Sequence, residues 1–305
     1  MTVRPSHKRS SGKWLIPALP YLWLTAFFFV PFLIVLKISL SQTAIAQPPY
    51  TPVLDLAAGW TGLRTFFREL SLSTYALLIG DDIYLLSYLK SLQIATLSTL
   101  VLVLTGVPIA YGMARAPARA QPVLLVLVIL PFWTSFLIRV YAWMGILKDN
   151  GLLNGFLMRL GLIDHPIMIL NTQAAVLIGM VYAYLPFLVL PLYATLEKLD
   201  WTLLEAAADL GAHPWSAFFR VTLPLSAPGT VAGALLVFVP ACGEFVIPEL
   251  LGSAKLPMIG TVLWTEFFSN RDWPAASAIA VALLLVLAAP ILLIQRRQAS
   301  GGRTP

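Results

Sequence analysis

Six long apolar runs alternate with short polar segments along this chain of 305 residues. Their limits read as Leu15–Leu40, Tyr88–Met113, Val123–Leu147, Gln173–Leu196, Ala227–Leu251 and Ala276–Gln295. A bilayer core is roughly 30 Å thick and takes about 20 helical residues to cross. The runs are continuous, which excludes the two-residue alternation of a membrane β-barrel. Lipid also requires each backbone group to be bonded within its own segment. The pattern therefore predicts an all-α integral membrane protein with six transmembrane helices. The segment 41–87, between the first two runs, is mixed in character and is expected to hold short helices.

Composition agrees. Only 11% of residues are charged and 59% are hydrophobic, with a mean hydropathy of +0.83, whereas soluble domains carry about a quarter charged residues. The net charge of +6 would suggest nucleic acid in a soluble protein. Here the basic residues gather at the ends of the apolar runs, so no nucleic-acid partner is expected. Cys242 is the single cysteine, so no internal disulfide can form. His7, His165 and His213 match no zinc-ligand spacing, and no metal site is expected. Ala44-Ile45-Ala46 looks like a signal-peptidase site, but the run before it is longer than a signal peptide's apolar region and reads as an uncleaved anchor.

Basic residues mark cytoplasmic flanks. One side of the membrane would hold Arg4, Lys8, Arg9 and Lys13, then Arg115 and Arg119, then Lys198 and Arg220, then Arg296, Arg297 and Arg303. The other holds Arg64, Arg68, Lys148, Arg159, Lys255 and Arg271, diluted over longer loops. The acids Asp55, Glu69, Asp81, Asp82, Asp149, Asp164, Glu266 and Asp272 share that second side. The bias predicts both termini in the cytoplasm. The resulting organisation is an inner tail over 1–14, a six-helix domain over 15–295 with an outer loop at 41–87 and an inner segment at 200–224, and an inner tail over 296–305.

Prolines interrupt the runs at Pro31, Pro108, Pro131, Pro186, Pro191, Pro240 and Pro248. Each removes a backbone donor and permits a kink. The stretch from Val239 to Glu244 adds a glycine and a charge to its proline, and predicts a broken helix of the kind tolerated where it lines a cavity.

The inner segment is the most informative. Thr202-x-x-Glu205 has capping-box spacing, Ala206, Ala207 and Ala208 favour helix without bulk, and Gly211 fits a left-handed stop. Pro214 suits the first position of a second short helix, which Pro224 is expected to end. The result would be a helix, a sharp turn and another helix whose small-residue face another protein could approach closely. A surface hairpin joining two spans would satisfy the same physics.

The stretch Glu205-Ala206-Ala207-x3-Gly211-x9-Val221-x-Leu223-Pro224 resembles the EAA signature of bacterial ABC importer permeases, with Val221 where isoleucine is usual. In that family the segment is the coupling helix that seats in a groove of the ATP-hydrolysing subunit. The resemblance implies that Glu205, Ala206, Ala207, Asp209 and Gly211 carry that contact. Three further stretches are similar to polyamine permeases: Leu130-Pro131-Phe132-Trp133 through Trp143, Gly243-Glu244-Phe245 through Gly252, and Val262-Leu263-Trp264-x-Glu266-Phe267-Phe268-x-Asn270-Arg271-Asp272-Trp273-Pro274. Over most of its length the chain resembles the permeases of putrescine importers, with the spermidine/putrescine permeases next. That implies a type I ABC importer permease in the bacterial inner membrane, carrying putrescine, spermidine or both from a periplasmic polyamine-binding protein into the cytoplasm. It also implies a second, homologous permease subunit and an ATPase homodimer. ATP and Mg would be held by the ATPase, with no cofactor in this chain.

Charged groups inside spans are costly and point to function or a buried partner. Arg139 lies about 16 residues into the third run and Glu244 about 17 into the fifth, so straight helices would place both roughly 25 Å from the inner face. They could pair with each other. A polycationic cargo would instead use carboxylates and ring faces, for which Glu244 and then Glu249 are the acids. Trp133, Tyr141, Trp143, Tyr182 and Tyr184 are the aromatic candidates, each of which could equally be packing or interfacial. Gly229-x3-Gly233 permits close helix approach.

Another cationic small molecule remains an alternative cargo, and an ion-coupled secondary transporter an alternative class. The latter usually brings internal repeats and more intramembrane acids than Glu244. A membrane enzyme would need a motif that is absent: there is no Gly-x-Ser-x-Gly, no His-Glu-x-x-His and no cysteine cluster. Asp164-His165 has no nucleophile nearby, so no catalytic residues are expected. There is no P-loop, since Gly12-Lys13 is followed by Trp14. Energy must then come from another chain.

Overall fold

Apolar helices interrupted by proline dominate the chain, and each proline is absorbed in its own way. A computed structural model describes residues 15–53, 59–253 and 257–301. The residues Arg4, Lys8, Arg9, Lys13, Asp55, Lys255 and Arg303 invoked above lie outside the described residues. Two units are distinguished: Met1–Gly80 with Glu266–Leu284, and Asp81–Thr265 with Leu285–Pro305.

In the first unit α1 (Leu15–Leu24) and α2 (Val30–Ser39) run through one π turn, Thr25–Phe29. Pro31 has no N–H to give and its ring crowds the carbonyl four residues back. The Val30 N–H reaches Thr25 O instead, and the wider turn makes room for the ring. Within α2 the buried residue is Ser39. A two-stranded antiparallel ribbon follows, β1 (Gln42–Thr43) and β2 (Tyr50–Thr51), then α3 (Gly59–Glu69) and α4 (Ser73–Gly80). The short helices expected in 41–87 are α3 and α4. The ribbon was not foreseeable, because two-residue strands carry no periodicity. Lys37 Nζ lies 4.1 Å from the Tyr50 ring centroid and 5.4 Å from that of Phe66, an arrangement that keeps an ammonium on aromatic faces. Thr43 Oγ1 donates to Asp272 at 2.8 Å, and Tyr75 OH donates to Ser39 Oγ at 2.8 Å.

The second unit opens with α5 (Asp82–Arg115). It starts six residues before the expected limit at Tyr88, because Asp81 caps it by accepting from the Ile83 N–H at 2.9 Å. The third run is not a straight rod. It forms α6 (Gln121–Ile129), a 3₁₀ turn at Leu130–Trp133 and α7 (Phe136–Leu147), with a 90° bend between Trp133 and Phe136. Pro131 tightens the turn and Thr134 is extended. The depth given to Arg139 by a straight helix therefore fails. Next come α8 (Leu152–Arg159) and α9 (Gln173–Leu196), the latter capped by Thr172. Then follow α10 (Thr202–Asp209), α11 (Pro214–Ala217) and α12 (Leu223–Cys242).

Pro224 does not end a helix. From Pro214 to Cys242 the chain is one helix of 29 residues, and a π turn at Phe218–Thr222 accommodates Pro224 with a Leu223 N–H to Phe218 O bond. The solution is the one used at Pro31. A break does occur after Cys242, before α13 (Val246–Leu251) and α14 (Ile259–Trp264). The last helix, α15 (Trp273–Gly301), contains the sixth run.

Among the described residues four helices are long and apolar enough to cross a membrane, five if the bent pair counts as one span, and α15 is apolar over Trp273–Ala288. The core of the second unit is α5, α9 and α12 packed on one another, with Leu102, Met180, Leu188, Val189 and Val237 fully buried. Gly229 and Gly233 let α12 approach α9 backbone to backbone: a Cβ on Gly233 would stand 2.9 Å from Leu188 O and 3.1 Å from Leu188 Cα.

Candidate functional site

Three features of the second unit carry chemistry: an exposed helical turn, a broken helix and a polar cavity.

The exposed turn is α10 and its exit. The capping box does not form. Thr202 is already inside the helix and makes no cap, and Asp200 takes that role, accepting from the Thr202 N–H at 3.1 Å and the Thr202 hydroxyl at 2.8 Å. Aspartate competes well here because its short carboxylate reaches the free amide two residues ahead. These two bonds, the hydroxyl's first, hold the Asp200 carboxyl below the usual carboxylate range. A carboxyl depressed by folding contributes above its unfolded pKa and loses that contribution as pH falls through the lowered value. Asp200→Ala is accordingly expected to speed hydrogen exchange of the Thr202–Glu205 amides at neutral pH, and to make no difference once the wild-type carboxyl is protonated. Equal exchange at neutral pH would contradict the cap.

At the other end Gly211 has φ +81°, and the Ala212 N–H bonds Ala207 O at 3.0 Å while the Gly211 N–H bonds Ala208 O at 2.8 Å. This pair is a Schellman closure, as the left-handed stop predicted. Glu205, Ala206, Asp209 and Gly211 are exposed and Ala207 is half-buried. Leu210 and Trp215 stand 89% and 67% exposed beside them, which leaves apolar area for another surface. Beneath, Trp201 and Phe218 pack on a cluster that includes Ala110, Met113, Val189, Leu192 and Leu196. Tyr111 meets both rings edge-on, and the Arg115 guanidinium lies 5.1 Å from the Trp201 ring. The turn is thus seated on the ends of α5 and α9.

The broken helix is closed by Glu244. One carboxylate oxygen accepts from the N–H groups of Phe245, Val246 and Ile247 at 3.2, 3.0 and 3.4 Å. The other accepts from the Tyr184 hydroxyl at 2.5 Å. Arg139 is elsewhere: its guanidinium donates to Pro131 O and lies 5.5 and 5.8 Å from the Phe132 and Phe136 rings. The two charges thus have separate partners, and the bend in the third run is the reason. Arg139 spans the bend it sits beside.

The cavity encloses about 540 Å³, and its polar lining is Lys90, Asn171, Gln173, Glu249, Ser253 and Thr261. Lys90 Nζ donates to Gln173 Oε1 at 2.7 Å, and Glu249 is exposed. Of the aromatic candidates, Trp133 and Tyr141 are 72% and 52% exposed, Trp143 and Tyr182 form an edge-to-face pair at 5.4 Å, and Tyr184 is buried on Glu244. They do not form one cluster. Lys90, Gln173 and Asn171 were missed from sequence. Lys90 offered the one visible signal, a lone charge at the start of an apolar run.

Residues 97–300 match the family of binding-protein-dependent transport system inner membrane components. The chain belongs to this family. It is therefore a multi-pass membrane permease of a transport system. A spermidine/putrescine transport system permease protein PotB of Haemophilus influenzae is 39% identical over 279 residues, covering 92% of this chain and 91% of that protein. Its Salmonella typhimurium counterpart is 46% identical over 226 residues, 74% of this chain and 78% of that one. The chain is also similar in fold to the bacterial alginate ABC transporter in complex with an alginate pentasaccharide-bound periplasmic protein. There the TM-score is 0.69 and the identity 16%, over 95% of this permease and 96% of that chain. A likeness at that identity concerns the fold alone.

Proposed function

We propose that this permease passes polyamines, putrescine and spermidine, through the bacterial inner membrane in an ATP-driven importer. The observation that carries the reading is the near full-length similarity to a spermidine/putrescine permease, 39% identical over 92% of the chain. The chemistry of the second unit supports it. A polycation needs a carboxylate that is reachable rather than consumed, and Glu249 is exposed on the wall of a polar cavity. Trp133 and Tyr141 offer open ring faces to an alkylammonium.

In this reading both termini are cytoplasmic, the α10 turn faces the cytoplasm and the cavity opens outward. The partners are a second, homologous permease, an ATPase homodimer that holds ATP and Mg, and a periplasmic polyamine-binding protein. Closure of the ATPase pair moves the two coupling segments together, the rigid seat of Trp201 and Phe218 passes that motion to α5 and α9, and the outer mouth opens to receive cargo. Hydrolysis resets the inward-facing state. Weak contacts suffice along the path, because a tight site would trap the cargo.

The test is ATP hydrolysis by the assembled complex in vesicles, with the binding protein empty or loaded. Stimulation by the putrescine- or spermidine-loaded protein, and not by the empty one, is expected. Stimulation by an anionic or neutral cargo alone would overturn the cargo class. Within the same assay Glu249→Gln is expected to lower polyamine uptake by about tenfold or more, the scale of a lost charged hydrogen bond. Full uptake by that variant would remove Glu249 from the path.

A further inference from the structure

The geometry points to Glu244 as a positioning residue: its carboxylate clamps the elbow of the broken helix and thereby presents Glu249 to the cavity, rather than touching cargo itself. The inference rests on the polyamine reading only for Glu249's role.

Both carboxylate oxygens of Glu244 are engaged within the protein: Oε1 is crowded by the three amides at the start of α13, and Oε2 takes the Tyr184 hydroxyl. The side chain is thereby held on the elbow rather than turned toward a cargo. The three amides are free N–H groups of the kind any helix start must satisfy, and within a membrane the protein itself has to supply their acceptor. Glu249 lies on the helix those amides begin, one turn further on, so the cap fixes where it stands. Tyr184 ties the same carboxylate to α9.

Two further contacts hold the elbow. A Cβ on Gly260 would meet Gly243 O at 2.5 Å and Glu244 O at 2.6 Å, so α14 lies directly on the elbow's backbone. Phe245 stacks on Trp264 with centroids 4.7 Å apart and planes 10° apart. From the other side, Gly179 of α9 leaves room for Leu251 and Ile247, which a Cβ would meet at 2.7 and 2.9 Å. Glu244 and Glu249 are thus two carboxylates five residues apart with separate tasks, geometry for the first and charge for the second.

The tasks separate under neutralisation. Glutamine keeps an oxygen for the three amides, and its NH₂ can donate to the Tyr184 oxygen, so it preserves the clamp while removing the charge. Uptake of labelled putrescine and spermidine is measured in vesicles holding this chain with its partner permease, ATPase and binding protein. Glu244→Gln is expected to retain uptake within about threefold, and Glu244→Ala to lose about tenfold or more, since it orphans three donors. Equal loss in both, with both assembled as wild type, would show that charge matters at this position and would overturn the clamp. So would full uptake by Glu244→Ala.

Should Glu244→Ala not assemble, Tyr184→Phe provides the second reading. It removes the hydroxyl that ties the carboxylate to α9 and leaves the charge in place, so its loss of uptake should exceed that of Glu244→Gln. A loss smaller than that of Glu244→Gln would contradict the tether. A Glu249→Gln variant with full uptake would strike the cargo reading and leave the clamp standing. If the wild type imports no polyamine, the same ordering of Glu244→Gln above Glu244→Ala is expected in ATP hydrolysis by the assembled complex, and equality there overturns the clamp.

Discussion

Gly211→Arg is expected to leave the permease folded and assembled in the membrane but to reduce ATP-driven uptake by about tenfold or more, as loss of a central interface contact does. Two observations set this expectation. Gly211 has φ +81°, and a Cβ built on it meets nothing within 4 Å. An L side chain there carries about 1–2 kcal/mol of backbone strain, which a membrane domain can absorb, and then projects outward over the exposed face of Glu205, Ala206 and Asp209. The injury falls on whatever docks there. Gly161 supplies the control, because it too has positive φ, +67°, and open space around its Cβ. Gly161→Arg carries the same strain in the loop after α8 and should import at close to the wild-type rate. Equal uptake by Gly211→Arg and Gly161→Arg would remove the coupling assignment from this segment.

Gly233→Leu is the second large effect, and it acts on the fold. Its Cβ would be forced to 2.9 Å from Leu188 O and 3.1 Å from Leu188 Cα. These are backbone atoms of a fully buried residue, so no rotamer change relieves the clash and α12 must move away from α9. Overpacking commonly costs about 1–3 kcal/mol and more when backbone must shift. The measurement is thermal unfolding of the purified permease in detergent, where Gly233→Leu is expected to melt well below wild type or fail to purify as a single species. Gly112→Ala on α5 meets nothing within 4 Å and should melt at or slightly above the wild-type temperature. Unchanged melting of Gly233→Leu would contradict the close crossing of α9 and α12.

Much of this was readable from residue order, for physical reasons. Long apolar runs mark the helices, since lipid permits little else. The alanine run, the glycine stop and the proline start marked the α10 turn, because each acts on its own backbone within a few residues. Where chemistry depended on a competing neighbour the sequence misled. Asp200 displaced Thr202 as the cap by accepting from the amide and the hydroxyl of Thr202 itself, and Pro224 was absorbed by a π turn rather than ending a helix. The third run looked continuous in composition, yet the Pro131 turn and extended Thr134 bend it by 90°. That bend separates Arg139 from Glu244, which run lengths alone had placed at one depth. The cavity of Lys90, Gln173 and Glu249 joins three distant segments, and no local pattern reports such a meeting.

The most direct test of the central claim is uptake of labelled spermidine and putrescine into vesicles containing this permease, its partner permease, the ATPase and the binding protein, with and without ATP and with ion gradients collapsed. The account predicts uptake that requires ATP, survives loss of the gradients, and shows each polyamine competing with the other. Uptake that needs no ATP and stops when the gradients are collapsed would contradict it.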